Sequence, residues 1–561
     1  MGPVDTPPDF GGNSSLSRRR RLPQTGFRSP SVHRALGATQ REGIQRTLGC
    51  YSRGVIPLDG MALDLANLEA IARNRAQVTL TPEARERITR ARTVVDDAVR
   101  DHRVVYGITT GFGNFADIVI PNDRLRELQQ NLVRSHAAGV GEPLGEAETR
   151  ALMALRVNVL ARGRSGARLE TVESLVRLLN ANVLPVVPSQ GSVGASGDLA
   201  PLAHLALTLI GEGEAWVNGR RVPSAEALAQ FDLAPVVLEA KEGLALINGT
   251  QLTTAVGALA LAEAQRLLVA ADVIAALSLD ALHGTDVAFD PRIQDERPHP
   301  GQRASAANLR RLLQRSAIRE SHRGCGKVQD AYTLRCIPQV HGAARDALAY
   351  VTSTFLVEMN SATDNPMVFA ETGEILSGGN FHGQPVAIAA DVMTIALAEI
   401  GSISERRTER LVNPTLSGLP AFLTREGGLN SGLMMAQVTA AALASESKTL
   451  SHPASVDSIP TSAGKEDHVS MGPVASRKAA QVVANTRRIL AVELLAACQA
   501  VEFRRPLRSS DALEAAHSCV RAVVPALDRD RQLSPDIEAV ARLVADGSIG
   551  RSAAALTGGL D

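Results

Sequence analysis

The sequence predicts a mainly α-helical protein: a bundle of long central helices, a smaller loop-rich N-terminal region, and minor β-structure. Three observations predict it. Aromatic residues make up only 3% of the 561 residues, so the core must be built from Ala, Leu, Val and Ile, which favours closely packed helices. After Asn248, several long Ala/Leu-rich stretches keep helical spacing: Thr253–Leu282, Val340–Met359, Val386–Arg407, Ser431–Leu443 and Arg477–Val501. Strand-like text is confined to short pieces.

The elements follow in chain order. Residues 1–50 are rich in Pro, Gly, Ser and Arg and lack apolar periodicity. They are expected to be a disordered tail or a misassigned start, since Met61 lies near the first folded pattern. A second region, 51–250, opens with a short strand at Ile56-Pro57-Leu58 and a helix over Leu63–Arg73. Helices are expected at Thr81–Arg100, with Thr81 as N-cap, and at Leu125–Ser135, Glu146–Ala161 and Leu169–Ala181. From Leu184 to Asp198 a proline or glycine recurs at every third position, which predicts an irregular loop. Asn218-Gly219 predicts the turn of a small hairpin over Trp216–Val222. The third region, 251–561, holds the long helices. At roughly 20 to 30 residues each, they span about 30–45 Å.

Composition narrows the function. Lys+Arg and Asp+Glu both total 59, so nothing points to nucleic acid or an anionic membrane as a partner. The most apolar segments, Val256–Leu282 and Val386–Ile403, are interrupted by Glu263, Arg266 and Asp272, and by Asp391 and Glu399, so no transmembrane helix is expected. The five cysteines are scattered and form no CxxC. They are read as reduced, buried thiols of a cytoplasmic protein. There is no phosphate-cradling GxxxxGK[ST], no HExxH, no tight histidine spacing for a metal and no GxSxG elbow; no metal is called.

One loop is chemically unusual. In Ala195-Ser196-Gly197, a residue without Cβ follows a serine that can lose water. In a tightly folded backbone the Gly197 nitrogen can attack the Ala195 carbonyl, because glycine allows the approach. Two dehydrations then give a methylidene-imidazolone, an electrophile that no ordinary side chain supplies. The triplet alone is weak evidence.

Longer motifs surround it. They are Tyr106-Gly-Ile-Thr-Thr-Gly-Phe-Gly113, Ser135-His-Ala-Ala-Gly-Val-Gly141, Gly194-Ala-Ser-Gly-Asp-Leu-Ala-Pro-Leu-Ala-His204 and Glu242-Gly-Leu-Ala-Leu-Ile-Asn-Gly-Thr250. Lys327-Val-Gln-Asp-Ala-Tyr-Thr-Leu-Arg-Cys336, Gly379-Asn-Phe-His-Gly383 and Asp457-Ser-Ile-Pro-Thr-Ser-Ala-Gly-Lys-Glu-Asp-His-Val-Ser-Met471 complete the set. From about Ile56 to the C-terminus the chain resembles the aromatic amino acid ammonia-lyase family, and within it the branch that acts on histidine.

The resemblance implies a 4-methylidene-imidazol-5-one made autocatalytically from Ala195, Ser196 and Gly197, with no soluble coenzyme. It implies a homotetramer whose active sites draw loops from three subunits. The implied reaction is elimination of ammonia from L-histidine to trans-urocanate, the first step of histidine degradation. Tyr106 is the candidate base, with Glu466 as its rival. His136 and Glu466 are candidates for holding the substrate imidazole; relatives acting on phenylalanine or tyrosine typically carry glutamine where Glu466 stands. The fork of Arg335 suits the substrate carboxylate. Gln329, Tyr332 and Arg335 share a face if helical, Gln329 touching substrate and Tyr332 the cofactor. Asn248 would donate to the ring oxygen, Phe381 pack near the ring, and Asp198 orient the loop. His204, His382 and His468 are read as buried histidines without chemistry. The amine and ring routes of attack stay open. So do two other readings: a phenylalanine or tyrosine ammonia-lyase or aminomutase, and a catalytically silent relative.

Overall fold

Helix Gln251–Ala281 runs through the centre of the molecule, and its sequence explains why. It is apolar on every side, and nearly all of its 31 residues are buried; a helix with that pattern has to be enclosed by others. Ile337–Met359, Gln384–Val412 and Gly472–Glu502 enclose it. The computed structural model describes residues 54–561; the expected tail or misassigned start at 1–50 lies outside them. The structure is 59% helical with 7% strand, a mainly α fold.

Buried polar pairs fix the register of the long helices. Arg407 of Gln384–Val412 forks onto Glu493 of Gly472–Glu502 at 2.6 and 2.9 Å, and Glu493 accepts from Ser278 Oγ at 2.7 Å. All three side chains are buried. Three helices thus share one charged contact that slippage by a turn would leave unpaired. Gln384–Val412 is, by length and composition, apolar enough to cross a membrane, but 67% of its most apolar window is packed inside the fold.

The β-structure is small and works as local stapling. Ile56–Leu58 pairs in parallel with Val78–Leu80. Glu214–Val217 and Arg220–Pro223 form the expected hairpin, with Asn218 and Gly219 both at positive φ. The stretch read as an irregular loop contains two short strands. Leu184–Pro185 joins the Glu214–Val217 hairpin, and Pro188–Gln190 pairs antiparallel with Val140–Pro143. Proline tolerates such edge positions because the unpaired side needs no donor.

Of the cysteines, Cys498 is buried and its thiol is pushed up to about 12 by that burial. Cys336 and Cys519 are half-buried. Cys325 is exposed, contrary to the reading of every thiol as buried; it lies in the polar segment before Gln329, where no apolar core exists to take it.

Candidate active site

Four chain segments converge on Ala195-Ser196-Gly197, and three of them are tied there by backbone contacts. The Pro188–Gln190 pairing with Val140–Pro143 brings the end of helix Leu125–His136 beside the loop. Met471 N donates to Val193 O at 2.9 Å, which fastens the segment carrying Glu466. Asp198 N donates to Gly249 O at 2.6 Å, which fastens the start of Gln251–Ala281. The Tyr106 loop closes on itself: Val105 N donates to Thr109 Oγ1 at 2.9 Å, and Thr109 Oγ1 donates to Arg103 O at 2.7 Å.

The turn itself is strained and has no spare room. Gly194, Ser196 and Gly197 all have positive φ, at +76°, +50° and +79°. A Cβ on Gly197 would stand 2.2 Å from Gly249 O, and one on Gly194 2.2 Å from Ser470 Oγ. A non-glycine residue in this backbone region, as at Ser196, persists only where its surroundings over-determine it. Here Asn248 Nδ2 donates to Ser196 O at 2.9 Å, and Ser196 Oγ donates to Glu466 Oε1 at 3.2 Å. The donor on Ser196 O and the glycine-only contact at Gly197 fit a compact ring made from the triplet.

A cavity of about 720 Å³ opens over this turn, lined by Tyr106, His136, Ser196, Asn248 and Glu466 among others. Gly113 N donates to the Tyr106 hydroxyl at 3.4 Å. His136 ends its helix, and its Nδ1 lies 2.9 Å from Leu132 O. A carbonyl can only accept, so Nδ1 carries the proton and Nε2 remains an acceptor. Burial lowers the His136 pKa, which keeps the ring neutral; Glu466 opposes this weakly. Glu466 Oε2 accepts from Thr461 Oγ1 at 2.7 Å, and Thr461 N from the same strand-like turn donates to Glu466 O at 2.9 Å. Asp198 lies beneath the turn. Its carboxylate accepts from Thr253 N at 2.8 Å and Thr253 Oγ1 at 3.0 Å, yet burial pushes it up to about 7.

The other named residues are elsewhere. Gln329 and Arg335 line a second cavity, of about 580 Å³, with Lys327 and His322. Tyr332 is 71% exposed, and the Arg335 guanidinium lies 4.5 Å from the centre of its ring. The shared helical face holds only for Tyr332–Arg335, because that helix is a single turn and Gln329 precedes it in chain without regular structure. Phe381 is half-buried in the turn leading into Gln384–Val412 and lines neither cavity.

None of the three histidines set aside is fully buried. His204 Nε2 accepts from Gly139 N at 3.1 Å, holding the chain just past His136. His382 and exposed His468 stack at 5.8 Å.

Sequence reasoning missed the support beneath the site. Thr253 and the buried Lys241–Asp364 pair (2.9 Å) carry no motif, and Thr461 lies within the Asp457–Met471 motif without having been given a role. Arg156 does carry a signal: it is an arginine inside Thr149–Ala161, a helical stretch buried at every position. Its Nη1 donates to Asn248 O at 2.8 Å.

Comparison with known proteins agrees with the helical fold. The model of the aromatic amino acid lyase family matches residues 63–522. A histidine ammonia-lyase from Symbiobacterium thermophilum is 56% identical over 502 residues, 90% of this chain and 99% of that protein. The crystal structure of histidine ammonia-lyase from Trypanosoma cruzi superposes with a TM-score of 0.84 at 46% identity, covering 90% of this chain and 96% of that one. A tyrosine aminomutase from Streptomyces globisporus superposes equally well, at 0.84, with 40% identity over 89% of this chain and 98% of its own. The chain belongs to the aromatic amino acid lyase family.

Proposed function

We infer that this protein eliminates ammonia from L-histidine without oxidation and releases trans-urocanate. One observation carries the reading. A chain 56% identical to a histidine ammonia-lyase brings a carboxylate, Glu466, and a histidine acceptor, His136, to one cavity over Ala195-Ser196-Gly197. The triplet is read as the precursor of a 4-methylidene-imidazol-5-one, whose electrophilic methylidene activates the substrate for loss of ammonia. Its formation bonds Gly197 nitrogen to the Ala195 carbonyl carbon. One water carries off the Ala195 oxygen and a second the Ser196 hydroxyl.

The remaining roles belong to side chains. His136 Nε2 and the Glu466 carboxylate are both acceptors, so together they match an imidazole ring carrying two N–H donors. Glu466 is already engaged by Thr461, which holds it for the ring and leaves Tyr106 to take the β-proton. The Gly113 N–H donates to the Tyr106 oxygen and so fixes where that oxygen sits over the turn. Asn248 polarises the Ser196 carbonyl. In this reading residues 51–250 carry the reactive loop, and residues 251–561 supply the helical frame.

Arg335 and Gln329 bind the substrate carboxylate from a neighbouring subunit of a homotetramer. Two observations support this: they open on a separate cavity, and Tyr332 beside them is exposed. Exposed Ile388 and Ile395 on Gln384–Val412 and Met435 on Met434–Leu450 offer apolar surface for the assembly. A reducing cytoplasm is the compartment in which free Cys325, Cys336, Cys498 and Cys519 stay reduced.

The test is incubation with L-histidine, L-tyrosine and L-phenylalanine in parallel, scoring ammonia and the unsaturated acid. Ammonia and urocanate from histidine are expected. Ammonia from tyrosine or phenylalanine with none from histidine would overturn the substrate reading.

A further inference from the structure

Arg156 stands directly behind the reactive turn, and nothing in ordinary packing accounts for it. The side chain is fully buried, and only Nη1 has a partner, Asn248 O at 2.8 Å. Nε and Nη2 are buried without any. The two acids that act on it are already engaged: Asp364 by Lys241 at 2.9 Å, and Asp198 by Thr253. A buried cation without its own carboxylate is costly, so a helix that only needed to pack would carry an apolar residue here. Burial lowers the guanidinium only to about 10, so it is charged at neutral pH.

The geometry points to Arg156 as a positioning residue for the reaction. It holds Asn248 by the main-chain carbonyl, so that Asn248 Nδ2 stays on Ser196 O, and it sets a fixed positive charge behind that carbonyl. Two hydrogen bonds in series, 2.8 and 2.9 Å, connect Arg156 to the oxygen. Charge fixed in a dry site strengthens electron withdrawal from the group it faces. Arg156 therefore serves both the closure of the ring and its reactivity once closed. This inference rests on the methylidene-imidazolone reading.

The experiment uses full-length wild type, Arg156→Gln, Arg156→Lys, Asn248→Ala and the double variant Arg156→Gln/Asn248→Ala. Four quantities are read: intact mass, thermal midpoint, the rate at which cyanide adds covalently to the protein, and kcat and KM for L-histidine. Wild type about 36 Da lighter than its sequence upholds the reading on which the inference rests; an undiminished wild-type mass sinks both. Arg156→Gln is expected to fold, with fewer chains dehydrated. In the dehydrated fraction, cyanide addition and kcat should fall about 100-fold while KM stays within about threefold. Arg156→Lys should recover part of the loss. In the Asn248→Ala background the further loss from Arg156→Gln should shrink below about fivefold, because the two act in series. Full dehydration with an unchanged cyanide rate in Arg156→Gln overturns the inference. So does a loss carried by KM alone, or additive losses in the double variant. If Arg156→Gln does not fold, Arg156→Lys decides by the same cyanide rate.

Discussion

Replacing Gly197 by alanine tests whether the cradle under the turn matters as the geometry says. The backbone there has φ +79°, and holding a residue with a Cβ in that region costs about 1–2 kcal/mol. The added Cβ would meet Gly249 O at 2.2 Å and Gly249 C at 2.4 Å, both backbone atoms that cannot rotate away. Overpacking of this kind costs about 1–3 kcal/mol more, and ordinary contact requires the two strands to part by about 1 Å. The bonds that would yield are Asp198 N to Gly249 O at 2.6 Å and Asn248 Nδ2 to Ser196 O at 2.9 Å. Stretched by about 1 Å, both leave hydrogen-bonding range. The variant should therefore fold with a lowered melting midpoint, keep the full mass of its sequence, and lose turnover by about 1,000-fold or more. Gly219→Ala is the control. That glycine also has positive φ, +76°, but a Cβ there meets nothing within 4 Å. It should lose about 36 Da as wild type does, and turn over normally. A Gly197→Ala protein that still sheds two waters and converts histidine would refute the reasoning.

Three further predictions follow from other parts of the site. Glu466→Gln removes the charged acceptor facing the cavity and should lower kcat/KM for L-histidine about 100-fold, read from urocanate absorbance; an unchanged value would remove the imidazole argument. Burial holds the Asp198 carboxyl up at about 7, so the folded protein binds a proton that the unfolded chain has already released. That stabilisation is complete below about pH 4 and is lost as pH rises through about 7. Asp198→Asn keeps an acceptor for Thr253 N, so its melting midpoint should gain on wild type between about pH 5 and pH 8; parallel curves would contradict the assignment. Ile395→Asp places a charge on the exposed apolar stripe and should lower the sedimenting mass and abolish turnover, while the intact mass still shows both waters lost. Undiminished assembly would argue against that surface as an interface.

Much of the fold was legible because the long helices keep their period over many turns. Their ends were less so. Met434–Leu450 runs two turns past the expected Leu443, where Ser445, Glu446, Ser447 and Lys448 break the apolar pattern although the helix continues with mostly exposed side chains. The reactive turn was legible as chemistry, since only glycine at 197 permits the approach. That the residues expected to form one site line two separate cavities was not, because spacing along a chain does not say which surface a one-turn helix such as Tyr332–Arg335 presents. Arg156 was overlooked because an arginine is ordinarily a surface residue, and its meaning depends on burial from all sides.

The position of Asp198 shows how one contact can serve two ends. It precedes helix Leu199–Leu209, while its carboxylate reaches the first turn of Gln251–Ala281 and accepts from Thr253 there. The positive end of a long helix favours the ionised carboxylate. Burial disfavours it, and burial is the larger effect, which is why the group comes to rest near neutrality. A carboxyl held there can keep both contacts to Thr253 in either protonation state: one oxygen still accepts from Thr253 N, and the protonated oxygen donates to Thr253 Oγ1 instead of accepting from it. The clamp on the strained turn is thereby insensitive to the proton, while the field beneath the Ser196 carbonyl is not. In the proposed arrangement the positive charge of Arg156 and the titrating carboxyl of Asp198, which act on each other through the buried protein, have opposite effects on the turn. Protonation of Asp198 removes the opposing charge, so electrophilicity of the turn should rise as pH falls through about 7, in the same direction as stability.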